Sequence, residues 1–179
     1  MLESIDNEMS TQLELLKKVV DNMVFNEMCQ FKIKKEIQEI PWNELKLSGI
    51  YLIEVKNNNN FLDFKGWLKD FKERWEDDKY IKKFTPNFKK KRIQAHSELG
   101  KWIPLYLGKS RNISKRVNEH IYKELHKPTF AMKLFARKNM KNETFKLSII
   151  QLEIKNYDTI VPKVESQFRN LINPLIGKQ

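Results

Sequence analysis

Residues 102–125 read WIPLYLGKSRNISKRVNEHIYKEL. The first part, WIPLYLGKS (102–110), is a run of apolar and aromatic residues that closes on Gly108 and a polar turn, which predicts a strand. The second part, NISKRVNEHIYKEL (112–125), carries Ile113, Val117, Ile121 and Leu125 at steps of four. That spacing predicts a helix whose single apolar stripe lies on a sheet. Asn112 or Ser110 supplies its N-cap. On this helix Arg116 and His120 stand four apart, so a guanidinium and an imidazole project from one face.

Working outward, SGIYLIEV (48–55) is a second β-rich run, entered through Gly49 and left through the four asparagines 57–60, a loop signal. FKLSIIQLEI (145–154) predicts a third strand. KVESQFRNLI (163–172) predicts a helix stopped by Asn173-Pro174, and TFAMKLFARKNM (129–140) another that starts at Thr129 after Pro128. Over 61–76, Phe61, Phe64, Leu68, Phe71 and Trp75 share one helical face, and Trp67 and Trp75 read as packing residues rather than base-stacking ones. Residues 79–92 mix lysines with Tyr80, Phe84 and Phe88, and Pro86 breaks any helix there. At the N-terminus, Ile5, Met9, Leu13, Leu16, Val20 and Met23 predict an amphipathic helix over about 2–29, packed on the core or forming a seam with a second copy. FKIKKEIQEI (31–40) predicts a short helix or strand before Pro41. The order of elements predicts an α+β domain at 42–179, with a small mixed or antiparallel sheet flanked by helices and an insert at about 56–101. A helical extension at 1–41 precedes it.

A chain of 179 residues with 40% apolar and 11% aromatic content has enough material for a packed core. Its 34 Lys and Arg against 23 Asp and Glu leave a formal charge of +11, which favours a polyanionic partner. An anionic membrane surface also accounts for the charge, but not for the pattern around Arg116. No apolar run approaches the ~20 residues of a membrane span, and MLESIDNEMS lacks the pattern of a secretory signal. One cysteine, Cys29, rules out an internal disulfide and a cysteine-built zinc site, and the composition suits a reducing cytoplasm.

GIY at 49–51 and YLG at 106–108, each on a predicted strand, resemble the two half-motifs of the GIY-YIG nucleases. The residues downstream of the second half-motif strengthen the resemblance. Arg116 lies ten positions after Tyr106, His120 four further, and Lys109 three after Tyr106. Glu165 falls on the later helix and Asn173-Pro174 at its end. The resemblance covers about 47–55 and 102–176. It departs in reading YLG rather than YIG and in a long segment between the half-motifs, as in some restriction-enzyme members. The first 40 residues lie outside it. It implies the nuclease fold of that family and a metal-dependent DNA endonuclease. Tyr51, Tyr106, Lys109, Arg116, His120 and Glu165 would be catalytic, Glu165 would hold the Mg²⁺ or Mn²⁺, and Asn173 would support the site.

These residue types suit phosphodiester hydrolysis. A guanidinium meets two oxygens of a phosphate at once, which suits Arg116. A tyrosine beside cations can have its pKa lowered toward the working range, so Tyr51 or Tyr106 could serve as base, with His120 orienting it or relaying its proton. Mg²⁺ takes one carboxylate and several waters, for which Glu165 is placed ahead of Glu143 and Glu153. Arg111, Lys115, Lys89, Lys90, Lys91 and Arg92 are expected to bind DNA phosphates without reading sequence, whereas His96 and His126 read as surface residues. The alternatives are a non-catalytic nucleic-acid-binding module on the same fold, or a nuclease of repair or of a mobile element rather than of restriction. Cutting both strands would call for a homodimer or larger homo-oligomer.

Overall fold

The computed structural model describes residues 1–58 and 61–177. Three of its strands stand where the apolar runs predict them: β2 (Gly49–Lys56), β4 (Trp102–Ser110) and β5 (Thr144–Gln151). A fourth, β1 (Asn26–Lys32), completes an antiparallel sheet in the order β1-β5-β2-β4. Strand β2 has a partner on each side and is buried along nearly all its length, which explains its apolar run from Gly49 to Ile53. Along β2 the side chains alternate between two cores. Tyr51, Ile53 and Val55 face α2 (Phe64–Trp75) and α4 (Ile113–Tyr122), whereas Ile50 and Leu52 face α5 (Tyr157–Ile172). The first core takes Phe64, Trp67, Phe71 and Trp75 from α2, and Ile113, Val117 and Ile121 from α4. The second takes Val161, Val164 and Phe168 from α5 and Val20 from α1 (Leu2–Asp21). Of the predicted loop at 57–60, Asn59 and Asn60 lie outside the described residues. No described helix is long and apolar enough to cross a membrane.

The N-terminal region departs from expectation. Helix α1 stops at Asp21, not near 29. The Asn22 side chain donates to the Lys18 carbonyl at 2.7 Å, and its backbone N–H reaches Val19 and Val20. Phe25 then packs edge-on against Phe168 at 5.1 Å, and the chain turns into β1. Phe31 of β1 stacks on Phe145 of β5 at 5.7 Å. The strand's alternation is broken by a register shift between Glu27 and Cys29, which hides it from a period count. Residues 1–41 are therefore not a purely helical extension, because 26–32 form an edge of the central sheet.

Two further segments differ. Residues 129–140 do not form a helix: Lys133 adopts a left-handed backbone (φ 57°), and only two short 3₁₀ turns come after it, Leu134–Ala136 and Lys138–Met140. Buried cations hold this stretch instead. Lys133 Nζ donates to the carbonyls of Leu125 and Lys127, and Arg137 donates to those of Met132 and Trp75. Helix α5 begins at Tyr157, six residues before its predicted start. Pro162 sits in its second turn, where its missing N–H forgoes only the bond to the Asp158 carbonyl.

The basic insert is also structured. Asn87–Phe88 (β3) pairs antiparallel with Ile176–Gly177 (β6), and the short helix α3 (Lys90–Ile93) comes directly after β3. The Lys89 N–H donates to Leu175 O, and the Leu175 N–H donates to Pro104 O on β4, both at 3.0 Å. As an edge strand, β4 tolerates Pro104, whose carbonyl serves this clasp.

Helix α1 is anchored at one end only. Val20 is buried, and Gln167 on α5 donates to Lys17 O and Asp21 Oδ1. Ile5, Met9, Leu15 and Val19 remain exposed. Val20→Ala should lower stability in urea unfolding by roughly 2 kcal/mol, from two buried carbons and a cavity. Leu2→Ala should change it by less than about 0.5 kcal/mol. Equal losses would mean that both halves of α1 are packed.

Candidate active site at the edge of the sheet

The register of β2 against β4 sets Tyr51 opposite Gly108 and Ile53 opposite Tyr106. The two tyrosines are thus diagonal neighbours on one face, with ring centroids 6.2 Å apart. Both glycines of the half-motifs serve close approach. A Cβ on Gly108 would lie 2.4 Å from Tyr51 Oη, and a Cβ on Gly49 would lie 2.1 Å from Ile150 O. Neither glycine has positive φ, so contact rather than backbone conformation demands them.

Helix α4 rests on this face by Ile113, Val117 and Ile121, with the Asn112 side chain accepting from the Lys115 N–H as N-cap. His120, fully buried, is turned toward the tyrosines. Its Nε2 lies 2.8 Å from Tyr51 Oη, and its Nδ1 accepts the Met132 N–H at 3.2 Å. An Nδ1 that accepts places the proton of the neutral imidazole on Nε2, so His120 donates to Tyr51. Burial and the Arg116 charge hold its pKa well below the ordinary 6.5. Arg116, one turn earlier, donates to Glu119 Oε2 at 2.6 Å and to Phe130 O. Burial opposes its charge, but the tyrosine oxygens and Glu119 outweigh that and keep it a cation.

The expected lowering of a tyrosine pKa is not met. Burial raises both Tyr51 and Tyr106, and Arg116 pulls only partly the other way. Both phenols therefore hold their protons at neutral pH. Tyr51 is enclosed, whereas Tyr106 lines a cleft of about 550 Å³ with Arg92, Leu107, Lys109, Arg116, Phe130, Glu165, Arg169 and Gly177. Strand β4 is the sheet's edge at this cleft, so groups from both faces meet there: Arg116 from α4, and Glu165 and Arg169 from α5.

Glu165 is largely buried, 2.7 Å from Arg169 by one oxygen and 4.0 Å from Lys109 Nζ by the other. Glu143 pairs with Arg74, and Glu153 accepts from Gln151; neither lines the cleft. Among the described residues no group of three His, Cys, Asp or Glu could hold a metal. What Glu165 offers is a single hard oxygen facing a roomy cleft. That fits Mg²⁺ or Mn²⁺, since Mg²⁺ keeps most of its waters.

The cleft thus gathers Tyr106, Lys109, Arg116, Glu165 and Arg92, with Tyr51 and His120 behind. The other expected DNA contacts lie elsewhere. Arg111 pairs with Asp158 at 2.8 Å and stacks over Tyr157, and Lys115 lines a separate groove with Trp42 and Lys46. Lys90 and Lys91 are exposed outside the cleft, and Lys89 caps α3. Asn173 is the turn at the end of α5, with a left-handed backbone (φ 52°) and its amide on Asn170 O. Its carbonyl meets His96 Nε2 at 2.8 Å, so His96 is a partnered residue rather than a plain surface one. Arg169 escaped the sequence reading, although its place four residues after Glu165 is a legible ion-pair spacing. Phe130 O and Met132 N–H carried no signal, because backbone groups have no identity in a sequence. No family model matches the chain, nor does any curated protein or solved structure.

A histidine held neutral by burial has a definite effect on stability. Its folded pKa lies below the ordinary 6.5, so below that pH the unfolded chain binds more protons. This contribution is intact above pH 6.5 and is lost as pH falls, by up to about 1.4 kcal/mol per pH unit. Urea unfolding at pH 7.5, 6.5 and 5.5 should show the fall in the wild type and a smaller one in His120→Gln. Equal slopes would mean that His120 is not held neutral.

Proposed function

We propose that the chain is a metal-dependent DNA endonuclease on a GIY-YIG nuclease fold, acting in restriction or another form of DNA defence. The observation that carries the reading is the convergence of Tyr106, Lys109, Arg116 and Glu165 on one cleft, backed by the Tyr51–His120 hydrogen bond. Arg116 is preorganised by Glu119 and Phe130 O to meet the charge that develops on a phosphate's non-bridging oxygens. Lys109 adds a second cation to that phosphate. His120 Nε2–H and the Arg116 charge are the groups that favour an ionised Tyr51 or Tyr106 against the cost of burial. Tyr106, the phenol in the cleft, would act as base by first releasing its own proton to solvent and then, as the phenolate, taking one from the attacking water. A divalent ion at Glu165 would supply Lewis-acid stabilisation of phosphate charge. A purely binding module has no need of a lone carboxylate facing a phosphate, since it would repel the ligand.

The same reading covers assembly. One such site cuts one strand, so a double-strand break takes two copies or two visits. An antiparallel second copy of α1 would cover the exposed Ile5, Met9, Leu15 and Val19.

Glu165→Gln should abolish nicking of a supercoiled plasmid in Mg²⁺ while sparing DNA binding. Arg116→Ala should slow it by roughly 10²-fold or more, the cost of one transition-state donor, and Arg116→Lys should rescue poorly. Nicking by Glu165→Gln at the wild-type rate would defeat the single-carboxylate site. Light scattering should give a dimer for the wild type and a folded monomer for Ile5→Glu/Met9→Glu. A wild type that stays monomeric with and without DNA would end the dimer reading.

A further inference from the structure

Glu165 is the carboxylate of the cleft among the described lining residues, and each of its oxygens already faces a cation. Arg169, one turn further along α5, lies 2.7 Å from Oε1. Helical spacing fixes that pair and commits Oε1 to it. Oε2 faces Lys109 Nζ at 4.0 Å, a distance at which charge acts but no hydrogen bond forms. Lys109 comes from the end of β4, opposite Ile50 on β2, and its side chain is 35% exposed. Its ammonium is therefore placed by a long flexible stem rather than by the turn of a helix.

Two demands fall on this one lysine. While Nζ stands before Oε2, a divalent ion at that oxygen meets a like charge. A charge at ~4–6 Å changes the affinity of a carboxylate for a proton about tenfold or more, and a divalent ion carries twice the proton's charge. A phosphate held by Arg116 offers Nζ a second anion within the same cleft. A compact ammonium leaves a 4.0 Å contact readily for a direct, charge-assisted hydrogen bond to a phosphate oxygen. Arg116 has no such freedom, because Glu119 Oε2 and Phe130 O hold its guanidinium.

We propose that Lys109 guards the metal position: in the free protein it stands before Glu165 Oε2, and a nucleic-acid phosphate at Arg116 draws it off, so that phosphodiester and divalent ion bind cooperatively. By linkage the coupling is reciprocal, and the ion strengthens the hold on the phosphate by the same factor. This guard deepens the nuclease reading and rests on it for the two ligands, yet it works in binding alone, before any bond is cut.

The test follows Mn²⁺ binding to the full chain by electron paramagnetic resonance, which counts the free aqueous ion. The proteins compared are the wild type, Lys109→Met, Lys109→Gln, Glu165→Gln and Lys101→Met. Lys101 is exposed and outside the cleft, so its variant controls for the loss of one net charge. Both Lys109 variants should bind Mn²⁺ about tenfold or more tighter than the wild type. Lys101→Met should match the wild type, and Glu165→Gln should lose the site. Saturating dimethyl phosphate, a phosphodiester too inert to be cut during the measurement, should tighten Mn²⁺ binding to the wild type and do so less in the Lys109 variants. Thermal melting identifies a variant that has unfolded, and the glutamine variant keeps a polar side chain at the cleft. A folded Lys109 variant that binds Mn²⁺ no tighter than the wild type would overturn the guard, as would equal tightening by dimethyl phosphate with and without the lysine. The expected Mn²⁺ affinities without plasmid nicking by the wild type in Mg²⁺ would keep the guard and sink the nuclease reading. Nicking by the wild type with Mn²⁺ affinity indifferent to Lys109 would do the reverse.

Discussion

A fully buried imidazole must have both ring nitrogens satisfied, and His120 finds its two partners on different parts of the chain. Nε2 meets Tyr51 on the central strand, and Nδ1 takes the N–H of Met132 from the irregular stretch after α4. The Met132 bond sets the tautomer, the tautomer sets the direction of the bond to Tyr51, and that bond holds the phenol over Gly108. The neighbouring carbonyl of Phe130 takes a hydrogen bond from Arg116. The stretch 129–133 therefore orients both Arg116 and His120 of α4. It can do so only because it is not a helix, where those backbone groups would be spent on one another.

The edge position of β4 is the second constraint. A central strand is covered on both faces and flanked on both sides, so it cannot open a cleft to which α4 and α5 both contribute. At the edge, residues from the two cores come round to the same space, which is how Arg116 and Glu165 meet although they belong to helices on opposite faces. The C-terminal segment covers part of that edge through Leu175 and brings β3 and Arg92 with it. One set of backbone hydrogen bonds thus protects an exposed edge and shapes the mouth of the cleft.

Local sequence foretold structure where the signal was an apolar run bounded by a glycine or the stripe of a short helix. Strand β4 was legible end to end, β2 to within a residue, and α4 in the fourfold spacing of its stripe. The misses have physical causes. Strand β1 contains a bulge and comes after a helix without an intervening Gly or Pro, so its alternation was lost. Residues 129–140 have helical composition, but one left-handed residue and two buried cations bonding to backbone carbonyls outweigh propensity. Helix α5 starts six residues before its predicted start and runs through Pro162, because one lost hydrogen bond is small beside the apolar face that it buries.

The sequence by itself determined the α+β class, the strand–turn–helix that carries Tyr106, Arg116 and His120, the excess of positive charge, and the candidacy of Glu165. The strand–turn–helix is carried by residue identity at short spacing and the charge by composition, whereas the candidacy of Glu165 is what the resemblance implies. Only the tertiary structure decided which of the basic residues enter the cleft, that the tyrosines hold their protons, which tautomer His120 adopts, and that Arg92 lines the same cleft as Glu165. These depend on burial, on backbone groups without identity in the sequence, and on pairings between segments tens of residues apart, and no local pattern encodes them.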